Sequence, residues 1–405
     1  MNEKGFFEKE RDYWLNGLLN DMIPFWLKYA RDYENGGYYG GLRRDGSVYD
    51  PDKTSSWTMG RTVWAFSYLY NNLRQDSEWL AYLEHGLDFM KKHSLDETGH
   101  TWGALTADGR PLARATDVYH DLYTAQAFSQ AAKATGEWDL LLTAKRLVLE
   151  VAKITFNPRA NPYRPYLSTI KPWSSHPEHL ILLETLQYLR EVEPDPELDE
   201  IADMCIKNIR KYHYREDLQA VIELCGLDEP LSPWLSGWVC PGHMLELVWL
   251  MIYEGQSREN HDLIDMGLES CEWAWRWGWD AQYGGLRNDL NIFGEYCIAG
   301  HTGHLNPHGP LKMWWSVCEA IHSNLLAYCI SKQEKFRERY EIARDFAFKN
   351  FADKEFGEWF GVLSPEGKLL DNGSKATDIK MSQHTLRTFY FCYRNAARMV
   401  DDLRA

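Results

Sequence analysis

No stretch of this 405-residue chain approaches the ~20 consecutive apolar residues that a membrane-spanning helix needs. The opening "MNEKGFFEKERDYWLNGLL" lacks the basic start and continuous apolar core of a secretion signal, so we expect a cytoplasmic protein. CxxC pairs are missing as well. The eight cysteines all lie beyond residue 200 without regular spacing, in apolar contexts such as "SVCEAIHSNLLAYCI". They read as buried free thiols in a reducing compartment. Positive charge is scarce: 44 Lys+Arg stand against 59 Asp+Glu, a net charge of −15. That balance argues against nucleic acid and anionic membranes as partners. No P-loop pattern occurs either.

Aromatic residues, in contrast, are abundant at 14%, with 18 Trp and 23 Tyr. Such a load fills a large interior or lines a cleft for a ring-shaped ligand. Apolar spacings of three and four dominate "TVWAFSYLYNNL", "HDLYTAQAFSQAAKATGE", "HLILLETLQYLREV", "HMLELVWLMIYEG", "EAIHSNLLAYCISK" and "YEIARDFAFKNF", the signature of helices. Between them a non-helical signature recurs as "DYENGGYYGGLRRDGS", "DETGHTWGALTADGR", "DAQYGGLRND" and "DKEFGEWFGVLSPEGK". Each has an acidic start, Gly with aromatics and an apolar residue, and most add a polar-Gly turn, which predicts a small hairpin. Asp32 and Asp96 are 64 residues apart, and Asp280 and Asp353 are 73 apart. Weaker counterparts, "FNPRANPY" after Phe156 and "REDLQAVIEL" at Arg215, occupy the interval. The chain therefore reads as six units of about 65 residues, each with two helices and a turn. An open solenoid would also repeat, but with shorter, more uniform units. We expect an all-α fold, a single (α/α)6 barrel over residues 1–405 with short β-hairpins in its loops.

Several ionisable groups sit where a helix starts and apolar residues follow. In "WVCPGHMLELVWLM", His243 and Glu246 share a face at the mouth of a core-like helix. In "SSWTMGRTVWAFSYLY", Arg61 opens an apolar helix one turn after Trp57, and a buried Arg needs an anionic partner or several acceptors. "GPLKMWWSVCEAIHSNLL" places Lys312, Trp314, Trp315 and Glu319 around another helix start. "MSQHTLRTFYFCYRN" begins with His384, with Arg387 one turn on, and "DLQAVIELCG" buries Glu223 in an apolar hairpin. Two helix-leading histidines, an arginine, carboxylates and tryptophans are the inventory of a sugar site with acid/base chemistry.

The segments "DYENGGYYGGLRRDGSVYD…GRTVWAFSYLY", "PGHMLELVWL", "LKMWWSVCEA" and "EFGEWFGVLSPEGK", in this order, resemble the N-acylglucosamine 2-epimerase family over nearly the whole chain. The resemblance implies an (α/α)6 barrel and an isomerase that interconverts aldoses differing at C2, or aldoses and ketoses. It implies that His243 and His384 are the acid/base pair and that Arg61 contacts the sugar oxygens near the reacting carbon. Glu246 and Glu319 match carboxylates that orient the histidines or the substrate, and Glu223 matches one in an "AVLEN"-like stretch. Trp315, Lys312, Trp57 and His179 complete the expected substrate-binding set. Around His384, "SQHTLR" departs from the commoner "FHVPR"-like form.

Inverting C2 requires ring opening, removal of a weakly acidic proton and its return to the opposite face, with the enediolate stabilised by donors or positive charge. A histidine is suited to both proton steps. No metal or redox cofactor is required. Members acting on free sugars often carry "HxLEA", whereas this chain has Ile181 three residues before Glu184, the apolar pattern of the N-acylglucosamine branch. His179 lies five before that glutamate, and the turn "LTADGRPL" also resembles that branch. The implied substrates are N-acyl-D-glucosamine and N-acyl-D-mannosamine, with mannose or cellobiose as the alternative. The branch implies ATP as an effector rather than a reactant, with no nucleotide site assigned here, and a homodimer as the assembly. Three further readings compete: metal ligation by His301, His304 and His308 in "HTGHLNPHGP"; a barrel hydrolase using Asp117; and a binding-only role, since a mammalian member is known as a renin-binding protein.

Overall fold

The computed structural model describes residues 2–163, 172–296 and 309–404. Helix α1 (Glu3–Gly17) runs through a π-helical turn, Leu18–Met22, into α2 (Ile23–Tyr29). Five helix pairs follow: α3 (Arg61–Asn72) with α4 (Ser77–His93), α5 (Tyr119–Thr135) with α6 (Asp139–Phe156), and α7 (His176–Val192) with α8 (Pro196–Asn208). After the single-turn α9 (Pro233–Ser236) come α10 (Pro241–Ser257) with α11 (His261–Gly278), then α12 (Trp314–Ser331) with α13 (Glu334–Asn350). The last helix, α14 (Gln383–Asp402), packs on α1. Helices α3, α5, α7, α10, α12 and α14 touch in that order, and α14 returns to α3, closing an inner ring. These six are buried on nearly every side, as helices apolar all round must be. Each partner helix shows one buried stripe and lies outside. The expected (α/α)6 barrel is the fold.

The connections set where chemistry can occur. Within each pair the link is short, which forces an antiparallel neighbour. Several outer helices begin with a side-chain cap: Asp76 accepts from Glu78 N, Asp195 from Glu197 N, and Asn260 from Asp262 N. The long connections therefore all reach the N-terminal ends of the inner helices, on one rim. There the recurring signature forms tight antiparallel bridges, Arg31↔Tyr38, Leu95↔Thr101, Trp279↔Leu286 and Ala352↔Trp359. "REDLQAVIEL" forms a hairpin of its own, Tyr214–Arg215 with Ala220–Val221, one of several such short strand pairs among the described residues.

A shared device holds four of these turns. Asp32, Asp96, Asp280 and Asp353 each accept two backbone N–H groups of their own turn through Oδ1. The other carboxylate oxygen meets a cation from the following segment: Lys53, Arg114, Lys312 and Lys375 respectively. The repeat is thus an Asp-turn clamped by a basic residue.

Candidate active site

Every inner helix contributes to one cavity from its first turns, or from the residues just before them. The cavity has a volume of about 250 Å³ and is lined by Trp57, Arg61, Tyr119, Tyr123, Pro177, Ile181, His243, Glu246, Trp314, Trp315, Ile379 and His384. Six helix N-termini converge around it, so the partial positive charge of their free N–H groups points toward the cavity. Trp315 lies between the two histidines, its ring 5.3 Å from that of His243 and 5.8 Å from that of His384. It fits against α10 because residue 242 is glycine: a Cβ there would stand 2.4 Å from the indole.

Each histidine is backed by a buried carboxylate. His243 Nδ1 donates to Glu223 Oε2 at 2.9 Å, and His384 Nδ1 donates to Glu319 Oε1 at 3.0 Å. Glu223 is clamped by its backbone, accepting from His176 N at 2.8 Å and donating to Trp238 O at 2.8 Å. The strand Trp173–Ser175, which pairs with Leu224–Gly226, carries the chain directly into α7. With Nδ1 committed, each histidine presents Nε2 for chemistry. Yet their proton affinities differ in direction. Burial works against the His243 imidazolium, but Cys240 and the Glu223 carboxylate outweigh it and hold the group well above its ordinary value. His384 is pushed down to about 3, by burial first and then by the Arg387 and Arg61 charges, against the pull of Glu319. The surroundings thus favour the charged form of one histidine and the neutral form of the other.

Beneath them lies a buried cluster centred on Arg387. It donates to Glu319 Oε1 at 2.6 Å and Glu246 Oε1 at 3.1 Å, and it also pairs with Glu184. Glu319 further accepts from Trp249 Nε1 at 3.0 Å. Burial resists ionisation of Glu319, but Arg387 and His384 prevail and hold it below the usual carboxylate range. Glu246, which borders the cavity, is pushed up to about 7 by burial and by the Glu319 charge, despite Arg387. Arg61 donates to Tyr123 Oη, lies over the Tyr123 ring at 4.2 Å, and keeps an Nε without a hydrogen-bond partner among the described residues.

Six sequence-predicted residues line the cavity: Trp57, Arg61, His243, Glu246, Trp315 and His384. Glu223 and Glu319 do not line it and stand behind the histidines instead. Lys312 and His179 do not line it. Lys312 is the clamp of the third Asp-turn, with Nζ 3.1 Å from Asp280 Oδ2 and a bond to Gly284 O. His179 faces away into the wall, its Nε2 bonded to Ser174 Oγ at 3.0 Å and its ring stacked on Phe156. Burial pushes it down to about 3. Sequence reasoning missed Tyr119, Tyr123, Pro177 and Ile379 as lining residues and left Arg387 without a role. The one signal available for Arg387 was its place one turn after His384.

Two sets of three side chains offer metal-ligand atoms within 4.8 Å of one another: Glu246, Glu319 and His384, and Glu223, Cys240 and His243. In the first, the Arg387 guanidinium already occupies the space between the carboxylates. His301, His304 and His308 lie outside the described residues. Among the described residues no helix is long and apolar enough to cross a membrane.

The sequence profile of the N-acylglucosamine 2-epimerase (GlcNAc 2-epimerase) family matches residues 37–383. The N-acylglucosamine 2-epimerase of Mus musculus is 28% identical over 381 residues, covering 89% of this chain and 88% of the relative. The D-mannose isomerase of Marinomonas mediterranea is 22% identical over 396 residues, covering 93% and 95%. Among solved structures, the cellobiose 2-epimerase of Bacillus thermoamylovorans superposes with a TM-score of 0.79 at 22% identity, covering 96% of this chain and 100% of that one. This last likeness concerns the fold.

Proposed function

The chain belongs to the N-acylglucosamine 2-epimerase family and is a carbohydrate epimerase or isomerase, and we propose that it interconverts N-acyl-D-glucosamine and N-acyl-D-mannosamine. The observation that carries this reading is the pair of histidines flanking Trp315, each anchored through Nδ1 to a buried carboxylate.

In one direction, the open-chain sugar presents its C2 hydrogen to His384 Nε2. The neutral imidazole takes that proton, and the electron pair moves onto the C1 oxygen as an enolate that keeps the acylamino group on C2. Arg61 and the converging helix N-termini stabilise that oxyanion. The negative charge also raises the proton affinity of His384 as the proton transfers. His243, held as imidazolium, then delivers its proton to the opposite face of C2, and the C1 aldehyde re-forms. In the reverse direction the roles exchange. Acid/base catalysis of this kind contributes roughly 10²–10⁴-fold, and the remainder is assigned to orientation against Trp315 and to the oxyanion.

Two features support an N-acyl monosaccharide. The cavity volume of about 250 Å³ lies below the ~300–1,000 Å³ usual for drug-sized ligands and suits one sugar ring. Its wall at the start of α7 is formed by Pro177 and Ile181, apolar partners for an acyl methyl. Proton NMR in D₂O with N-acetylglucosamine, mannose and cellobiose in separate tubes tests the proposal. Deuterium at C2 together with the C2 epimer is expected in the first tube. Turnover of mannose or cellobiose alone reassigns the substrate, and no exchange in any tube overturns the reading.

A further inference from the structure

The wall behind His243 carries a donor set that epimerisation does not use. Glu223, Cys240 and His243 bring a carboxylate oxygen, a thiol sulfur and a ring nitrogen within 4.8 Å of one another. Cys240 and Glu223 are buried, whereas the His243 side chain is 20% open, the side from which an ion would enter. A second observation points to the same place. His176 is fully buried, stands with Nδ1 3.5 Å from Glu223 Oε1, and makes no hydrogen bond of good geometry through either ring nitrogen. Its ring centre is 6.4 Å from that of His243. His176 thus brings a second buried imidazole against the same Glu223 carboxylate.

We propose that Glu223, Cys240 and His243, with His176 behind them, form an inhibitory site for a thiophilic divalent cation such as Zn²⁺. Thiolate, imidazole and carboxylate are the ligand types of four-coordinate zinc, and thiolate selects against Mg²⁺ and Ca²⁺. Binding forms a metal–sulfur and a metal–nitrogen bond and releases the Cys240 thiol proton and one His243 imidazolium proton to solvent. No electron is transferred. His243 is then held neutral and immobile, so it no longer donates to C2. The inhibitory consequence rests on the reading of His243 as a catalytic acid; the binding itself does not.

The two parts separate experimentally. Co²⁺ titrated into the chelator-treated protein should develop a thiolate-to-cobalt charge-transfer band and intense tetrahedral visible bands, with protons released. Both Cys240→Ser and Cys240→Ala should lose the charge-transfer band and bind at least about tenfold more weakly. No band in the wild-type protein, or a band kept by the Cys240 variants, overturns the site. Turnover of N-acetylglucosamine should fall with added Zn²⁺ and return with EDTA, and the Cys240 variants should need at least about tenfold more Zn²⁺ for the same fractional loss. A cobalt band without inhibition keeps the site and overturns the inhibitory role. Absence of any sugar turnover in metal-free protein counts against the proposed function and leaves the cobalt result standing.

Discussion

Glu319 Oε1 accepts the Nδ1 hydrogen of His384 at 3.0 Å in a place sealed from solvent. The contact fixes which nitrogen of His384 faces the cavity. It also ties His384 to Arg387, which bonds to the same oxygen at 2.6 Å. Replacing this carboxylate by an amide keeps the shape and removes the charge. Glu319→Gln should lower kcat by about 10²-fold or more, in the range of a lost acid/base contribution, with KM little changed. Steady-state kinetics decide it: a kcat near wild type would detach Glu319 from the base.

The two histidines should fail in different ways. His243→Ala and His384→Ala are both expected to abolish epimerisation while circular dichroism remains that of the wild type. With His384 intact, His243→Ala should still exchange the C2 hydrogen of one epimer for deuterium without inverting it. His384→Ala should retain exchange only from the other epimer. Loss of exchange from both epimers in both variants would point to a single base serving both faces.

Buried neutral histidines set the acid limit of the fold. His384, His179 and His322 are each pushed down to about 3, chiefly by burial. Near pH 5 the unfolded chain binds their protons and the folded chain does not, so stability rises with pH between about 3 and 6.5. Each contributes on the order of 1.4 kcal/mol per pH unit across that window. Glu246 acts oppositely: it binds its proton more tightly when folded, so its contribution is full below the unfolded value near 4.5 and fades as pH rises through about 7. Asp21, Glu184 and Glu191 are raised in the same sense as Glu246, but His120, His176 and His213 are lowered with the first three, so the neutral imidazoles outnumber the raised carboxyls. The thermal midpoint should fall steadily from pH 6.5 to pH 4.5, and a flat or rising midpoint would contradict the burial of these imidazoles.

Lys312 offers a test of structure against binding. Its removal leaves Asp280 without its buried cation, which typically costs about 3–5 kcal/mol. Lys312→Met should therefore lower the denaturation midpoint markedly while KM for the sugar stays close to wild type. A raised KM with unchanged stability would return Lys312 to the cavity.

Much of the architecture was readable because its signals are local. Helical periodicity in segments such as "HMLELVWLMIYEG" and the Asp-Gly-aromatic turns depend on residues within a few positions of one another. His243, His384 and Arg61 stood out for the same reason, each an ionisable group at the head of an apolar helix. Lys312 stood out equally and misleadingly. Its partner Asp280 is 32 residues away, a distance over which spacing carries no information about contact. His179 misled through rotation: three residues after His176 on the same helix, it turns into the wall beside Ser174, while Ile181 reaches the cavity.

By itself the sequence determined the repeat, the helix starts and therefore the rim on which chemistry-bearing side chains appear, since each follows from short-range backbone preference and amphipathicity. Only the closure of the inner ring decided the rest. It set Glu223 behind His243 and Glu319 behind His384, gave Arg387 three carboxylates from α7, α10 and α12, and drove two like histidines to opposite proton affinities. A proton affinity depends on every charge and every excluded water around the group, and those are assembled from helices hundreds of residues apart.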